Sequence, residues 1–189
     1  MPILPIHLIG QPVLRRKTER IESITPEVRQ LIQDMIMTMG NAEGIGLAAP
    51  QVGHPIRLFV VDISPLIEDL IPEEHETLPE QPMIFINPEI IWESDDEDEF
   101  EEGCLSIPEI KEYVKRPASI EITYQDQSFS QQTITVDSLL ARVIQHEYDH
   151  IEGTLFIDHI SAFRRSLLKR RLSEIARNNV EANYPVYSA

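Results

Sequence analysis

The segment Gln145-His146-Glu147-Tyr148-Asp149-His150 sets two imidazoles four positions apart, with a carboxylate beside the first. Four residues advance an α-helix slightly more than one turn, so His146 and His150 project from one face and can chelate a single ion. Glu147 can then reach a water on that ion without ligating it, the arrangement of a metal-dependent hydrolase with a glutamate base. Histidine and glutamate are ordinary helix residues, so the surroundings must decide between this chemistry and coincidence. Asp149 and Glu152 lie close enough in sequence to orient a ligand histidine, although a solvated helix face is the simpler reading for Glu152.

A catalytic site of this kind takes three protein ligands and keeps one position for water. The single cysteine of the chain, Cys104, stands in Glu102-Gly103-Cys104-Leu105-Ser106. A lone cysteine is most often a small buried hydrophobe. Here Gly103 and Pro108 flank it and limit regular structure, which makes a soft thiolate ligand the competing reading. A Cys-His-His set accepts Fe²⁺, Zn²⁺, Co²⁺ or Ni²⁺. Further upstream, Gly44-Ile45-Gly46-Leu47-Ala48-Ala49-Pro50-Gln51 is rich in small residues that allow close approach of main chain to a ligand. Gln51 has an amide N–H to donate to a developing oxyanion, though such a loop serves packing equally well.

Taken in order, these three segments resemble the signatures of the peptide deformylase family: a G-x-G-L-A-A-x-Q loop, an E-G-C-L-S box and a Q-H-E-x-D-H helix. Gly10-Gln11-Pro12-Val13-Leu14-Arg15 is similar to the family's N-terminal segment, so the resemblance spans nearly the whole chain. It implies that Cys104, His146 and His150 bind the metal, ferrous iron above all, with Glu147 as general base and acid. It implies an oxyanion hole made by Gln51 and the backbone N–H of Leu105. The implied reaction is removal of the formyl group from N-formylmethionyl nascent peptides, with release of formate.

A methionine pocket is expected beside the metal helix. Val143, Arg142 and Leu139 precede His146 by three, four and seven residues and share its face. Val143 and Leu139 are read as pocket wall or as core with equal weight. Ile45, Gly46, Phe100, Glu102 and Gly103 are further candidates for substrate contact. Arg142 replaces an apolar residue expected from the resemblance. It is placed at the pocket rim, paired with a carboxylate such as Glu102 or with the peptide.

The elements that must position these groups can be read from patterning. Asp137 as a cap, good helix formers from Ser138 and a stop at Gly153 predict the metal-bearing helix. Thr25 and Pro26 open an earlier helix whose stripe of Val28, Leu31, Ile32, Met35, Ile36 and Met39 is read as core. Strands are predicted at 57–62, 83–86, 119–124 and 132–136. The mixture lacks regular βαβ alternation and predicts an α+β fold. The resemblance adds antiparallel strands wrapped around a central metal-binding helix. A basic C-terminal helix carrying Phe163, Leu167, Leu168, Leu172 and Ile175 is expected to pack by one stripe. In the family, a helical C-terminus marks the bacterial class.

The 189 residues read as one catalytic domain, 1–189, with no repeat and no membrane-spanning run. One cysteine and no export pattern make a reducing cytoplasm the expected compartment. With 32 acidic against 16 basic residues, the net charge of −16 argues against DNA or RNA as substrate. The acidic run Glu93 to Asp98 is read as a solvated loop, since a calcium loop would need a spaced glycine. The stretch from Pro72 to Gln81 is read as a surface insertion. The basic C-terminal helix raises docking to ribosomal RNA near the nascent-chain exit, although solvent-facing basic helices are common. Two other functions compete with a deformylase: a zinc peptidase and a metal-stabilised binding module. The peptidase would usually take His or Glu as third ligand. The module needs a fourth protein ligand, and His7, His54, His75 and His159 show no ligand spacing to Cys104.

Overall fold

Residues 2–69 and 78–188 are described by a computed structural model of the chain. Five strands form one antiparallel sheet in the order β1-β2-β3-β6-β7: β1 Gly46–Ala48, β2 Leu58–Val61, β3 Met83–Glu93, β6 Ser119–Gln125 and β7 Gln131–Asp137. A separate antiparallel hairpin joins β4, Glu97–Cys104, to β5, Ile107–Pro117. Among the described residues three α-helices accompany the strands: α1 Pro26–Asn41, α2 Ser138–Glu152 and α3 Ala162–Ile175. No described helix is long and apolar enough to cross a membrane. The fold is α+β, as the patterning predicts.

Because successive strand residues face opposite sides, both faces of the sheet can be apolar and each takes a helix. Phe59, Val61, Met83, Phe85, Ile120 and Ile122 pack with Leu140, Ala141, Ile144 and Ile151 of α2. On the other face Leu58, Val60, Ile84 and Ile86 meet Leu31, Ile32, Met35 and Met39 of α1. The methionine-bearing stripe is therefore core. Helix α1 begins as expected, with the Thr25 hydroxyl accepting from Val28 N at 3.3 Å and Pro26 in the first turn. A third cluster joins Ile107, Ile110 and Val114 of β5 to Leu8, Phe156, Ile157 and Ile175.

Three expectations are corrected. Glu93 to Asp98 is not a loop: β3 runs to Glu93 and β4 begins at Glu97, with only a short turn between. Pro108 does not interrupt regular structure but lies within β5. Both strands were hidden for one reason. Their inward positions include charged residues, namely Glu102 on β4 and Glu112 and Arg116 on β5, all buried, so apolar–polar alternation never appears. Helix α3 also departs from a single apolar stripe. Ile175 is buried and Leu168 and Leu172 pack inward, while Phe163 and Leu167 stand exposed. Of the expected surface insertion, residues 72–77 lie outside the described residues.

Candidate metal centre

Helix α2 ends where Gly153, at φ 77°, adopts the left-handed conformation that L side chains resist. A Cβ there would also lie 2.8 Å from the Arg15 carbonyl oxygen. Asp137 precedes the helix but makes no side-chain cap bond. The helix presents His146 and His150 toward β4, and the ligand atoms of Cys104, His146 and His150 all lie within 4.8 Å of one another. Cys104 Sγ and His150 Nε2 are 3.2 Å apart. His146 turns Nδ1 to Glu102 Oε2 at 2.8 Å. Nδ1 is then the donor, which leaves the Nε2 lone pair for an ion.

The electrostatics suit a cation. Burial raises the Cys104 thiol, but the His150 imidazole above all, with His146, outweighs it and holds the thiol down at about 5. The sulfur is therefore a thiolate at neutral pH. Glu147 is buried and Oε2 has no hydrogen-bond partner among the described residues. Burial pushes its carboxyl up to about 7, opposed by the two imidazoles. One thiolate, two imidazoles and an uncommitted carboxylate beside them are the donor set and the base that a divalent ion of the zinc and ferrous class takes. No fourth protein ligand joins the cluster among the described residues.

Glu102 holds His146 because it is itself held. Arg116 donates to both its oxygens, Nε to Oε1 at 2.7 Å and Nη2 to Oε2 at 3.0 Å, and Arg142 Nη1 donates to Oε1 at 2.8 Å. Among the described residues, Asp149 and Glu152 make no hydrogen bond to His146 or His150. Asp149 accepts from Arg116 and pairs with His159, and Glu152 pairs with Arg57. Arg142 is not at the rim, being only 5 % exposed. The expected pairing with Glu102 is present, and Phe100 lies over its guanidinium at 5.1 Å.

A cleft of about 760 Å³ opens on the cluster. Its lining includes Ile45, Gly46, Phe100, Glu102, Gly103, Leu139, Arg142 and Val143, so every residue proposed for substrate contact reaches it. Val143 and Leu139 also pack in the core cluster behind α2. Gln51 is 1 % exposed and its orientation is set at both ends. Oε1 accepts from Ala48 N at 2.7 Å, so Nε2 must face Ser106 Oγ at 3.2 Å and Cys104 Sγ at 3.6 Å. Gly46 is required by Glu147: a Cβ at position 46 would lie 2.3 Å from Glu147 Oε1. Sequence reasoning missed Arg116, Ser106 and Tyr184. Their partners, Glu102, Gln51 and Leu105, lie 14, 55 and 79 residues away, and no local spacing signals such contacts.

Comparison with known proteins agrees with this geometry. Residues 3–166 match the family model described as polypeptide deformylase. A peptide deformylase of Salinibacter ruber is 52% identical over 184 residues, covering 97% of this chain and 94% of that protein. The crystal structure of peptide deformylase from Ehrlichia chaffeensis superposes with a TM-score of 0.84 at 33% identity, covering 94% of this chain and 99% of that one. That of a peptide deformylase from Synechococcus elongatus in complex with actinonin gives 0.77 at 40% identity, covering 90% and 89%. A family match over most of the length, on a fold that gathers the three signature segments around one cleft, leaves a single assignment: the chain belongs to the polypeptide deformylase family.

Proposed function

We propose that this chain deformylates nascent peptides that begin with formyl-methionine, using an iron centre held by Cys104, His146 and His150. Removal of the N-formyl group is the reaction of the family to which the chain belongs. The observation that carries the residue assignment is the cluster of three ligand atoms, two of whose residues, Cys104 and His146, line the cleft, with Glu147 Oε2 unpartnered beside it among the described residues. When bound, the ion supplies Lewis acidity, lowering the pKa of a water from ~15.7 towards ~7.

The chain's own groups do the rest. Glu147 takes the water proton as the formyl carbon is attacked, then delivers it to the departing amine. Gln51 Nε2 and the Leu105 N–H receive the negative charge gathering on the formyl oxygen, a contribution worth ~100- to 1000-fold in rate for each donor. Because Ala48 N pins the Gln51 oxygen, the amide keeps Nε2 on the Cys104 side, and its long 3.6 Å contact with Cys104 Sγ is the one it exchanges for that charge. Leu139, Val143 and Ile45 wall the space for the methionine side chain, and Phe100 over Arg142 closes it. Glu102 fixes the His146 ring rather than touching substrate, since His146, Arg116 and Arg142 engage both its oxygens.

The test is formate release from N-formyl-Met-Ala-Ser by anaerobically prepared, iron-loaded protein. The Glu147→Ala protein, folded and metal-replete, is expected to lose that activity. Formate release undiminished in Glu147→Ala would remove Glu147 from the mechanism, and none from the parent would reject the formyl-peptide substrate. Zinc, nickel or cobalt are expected to substitute with altered rate. The cytoplasm is the compartment that suits a thiolate ligand and this substrate. A second reading is supported by the exposed basic face of α3: weak docking to the ribosome through Arg165, Lys169 and Arg170. The parent is expected to co-sediment with ribosomes, and replacing those three by Glu to abolish it with formate release intact; a parent that does not co-sediment overturns this reading.

A further inference from the structure

Beyond α3 the chain turns back toward the cleft. Ile6 N donates to Pro185 O and Tyr187 N to Ile6 O, each at 2.9 Å, so Val186 bridges to the N-terminal segment in parallel. The Tyr187 ring stacks on His7 with centroids 4.1 Å apart, and Val180 and Val186 pack against the third core cluster. Between these anchors, Ala182, Asn183 and Tyr184 form part of the cleft lining beside Cys104 and Leu105. The tail is thus tied down on both sides of the point where it meets the site.

At that point the Tyr184 hydroxyl donates to the Leu105 carbonyl oxygen at 2.7 Å. The same peptide group carries the Ser106 N–H, which donates to Cys104 Sγ at 3.4 Å. One planar amide is therefore held at its oxygen by the phenol and at its hydrogen by the thiolate. A hydrogen bond to an amide oxygen polarises the group and strengthens its N–H as a donor. Burial, with the nearby Cys104 thiolate, pushes the Tyr184 phenol up, so it remains a donor at neutral pH.

We propose that Tyr184 is a positioning residue for Cys104, acting through the Leu105–Ser106 peptide group to set how much electron density the ligand sulfur keeps. The proposal rests on the reading of Cys104 as a metal ligand. Outer partners of metal ligands fix their orientation and tune their basicity. Here the outer partner is supplied by the C-terminal tail, 80 positions from the cysteine it serves.

The test uses the full-length, cobalt-loaded protein and reads the sulfur-to-cobalt charge-transfer band. Tyr184→Phe removes the phenol donor, leaves the sulfur richer in electrons and should move the band to lower energy. 3-Fluorotyrosine at position 184, a stronger donor of nearly the same shape whose phenol stays protonated in this buried place, should move it to higher energy, and it carries the test if the phenylalanine variant folds poorly. With the Phe variant, kcat on a formyl tripeptide should fall by about 3- to 10-fold with KM within about twofold, less than the loss of a direct partner. A band present in the parent and unmoved in both variants overturns the role of Tyr184. Absence of any such band in the cobalt-replete parent overturns the ligand assignment, and the proposal with it.

Discussion

Gly46 and Glu147 are a matched pair, 101 positions apart in the chain but in contact in the fold. Any side chain at 46 displaces the carboxylate, and a misplacement of ~1 Å near the reacting atoms can cost ~100-fold. Gly46→Ala should therefore lower kcat by about that factor with metal content unchanged, measured by formate release and elemental analysis. The pH dependence of Glu147 follows from its burial, which raises the carboxyl from 4.5 to about 7. The base proposed in Glu147 must be ionised, so kcat/KM should rise with pH. Because a bound cation pulls the carboxyl back down, the acid limb is expected between 4.5 and 7, and a limb below 4.5 would contradict this. The stability consequence has the opposite sense. Between those values the folded chain holds a proton that the unfolded chain has lost, so stability falls as pH rises, and above 7 the full cost is present. Metal-free Glu147→Gln at pH 8 should gain of order 1–3 kcal/mol. That gain would appear as a rise in Tm of order 5 °C.

The β4–β5 hairpin shares no sheet with the other described strands, and two arginines pin it to α2. Arg142 reaches from α2 to Glu102, the Val114 carbonyl at 3.0 Å and the Asp98 carbonyl at 2.7 Å. Arg116 reaches from β5 to Glu102 and to Asp149 on α2. Arg142→Leu strips two carbonyls and one buried ion pair of their donor, and should cost about 3–5 kcal/mol in urea unfolding. Glu102→Gln should act on the ligand instead. It weakens the acceptor that fixes His146 and leaves two buried guanidinium groups short of charge, so chelator competition should show metal affinity reduced ~10- to 100-fold. The two substitutions distinguish the element's two tasks, holding the hairpin and aiming the imidazole.

Across the whole molecule the charge of −16 is not spread evenly. Exposed carboxylates of Glu43, Glu101, Glu109 and Glu181 edge the cleft; Glu101 pairs with Lys111 and Glu109 with Arg171, which leaves Glu43 and Glu181 to give the rim its negative sign. A field of one sign at a cleft concentrates oppositely charged ligands. Formyl peptides with Lys or Arg after the methionine should show KM several-fold below that of acidic counterparts at low salt. That difference should shrink as ionic strength approaches 1 M, where the Debye length is ~3 Å. The buried Ile175 and the Val186 bridge make the C-terminal segment structural as well. Deleting everything after Arg164 would open the third core cluster, so charge substitution on α3 is the cleaner probe of docking.

Much of this site was legible in the chain because helix geometry is local. A four-residue spacing puts His146 and His150 on one face wherever α2 packs, and Thr25-Pro26 starts a helix through bonds made within one turn. Strands 57–62 and 119–124 announced themselves by apolar side chains at inward positions. What stayed hidden is long-range and electrostatic. Glu102, Glu112 and Arg116 point inward as charges, which erases the alternation of β4 and β5, and their burial is tolerable only because each finds a partner brought near by folding. That Cys104 joins the two histidines was suggested by motif; that its sulfur meets His150, and that the Tyr184 hydroxyl reaches the adjoining peptide group, depends on where separate elements come to rest. Local spacing encodes which groups can act together on one helix turn, whereas packing alone brings in those that act from elsewhere in the chain.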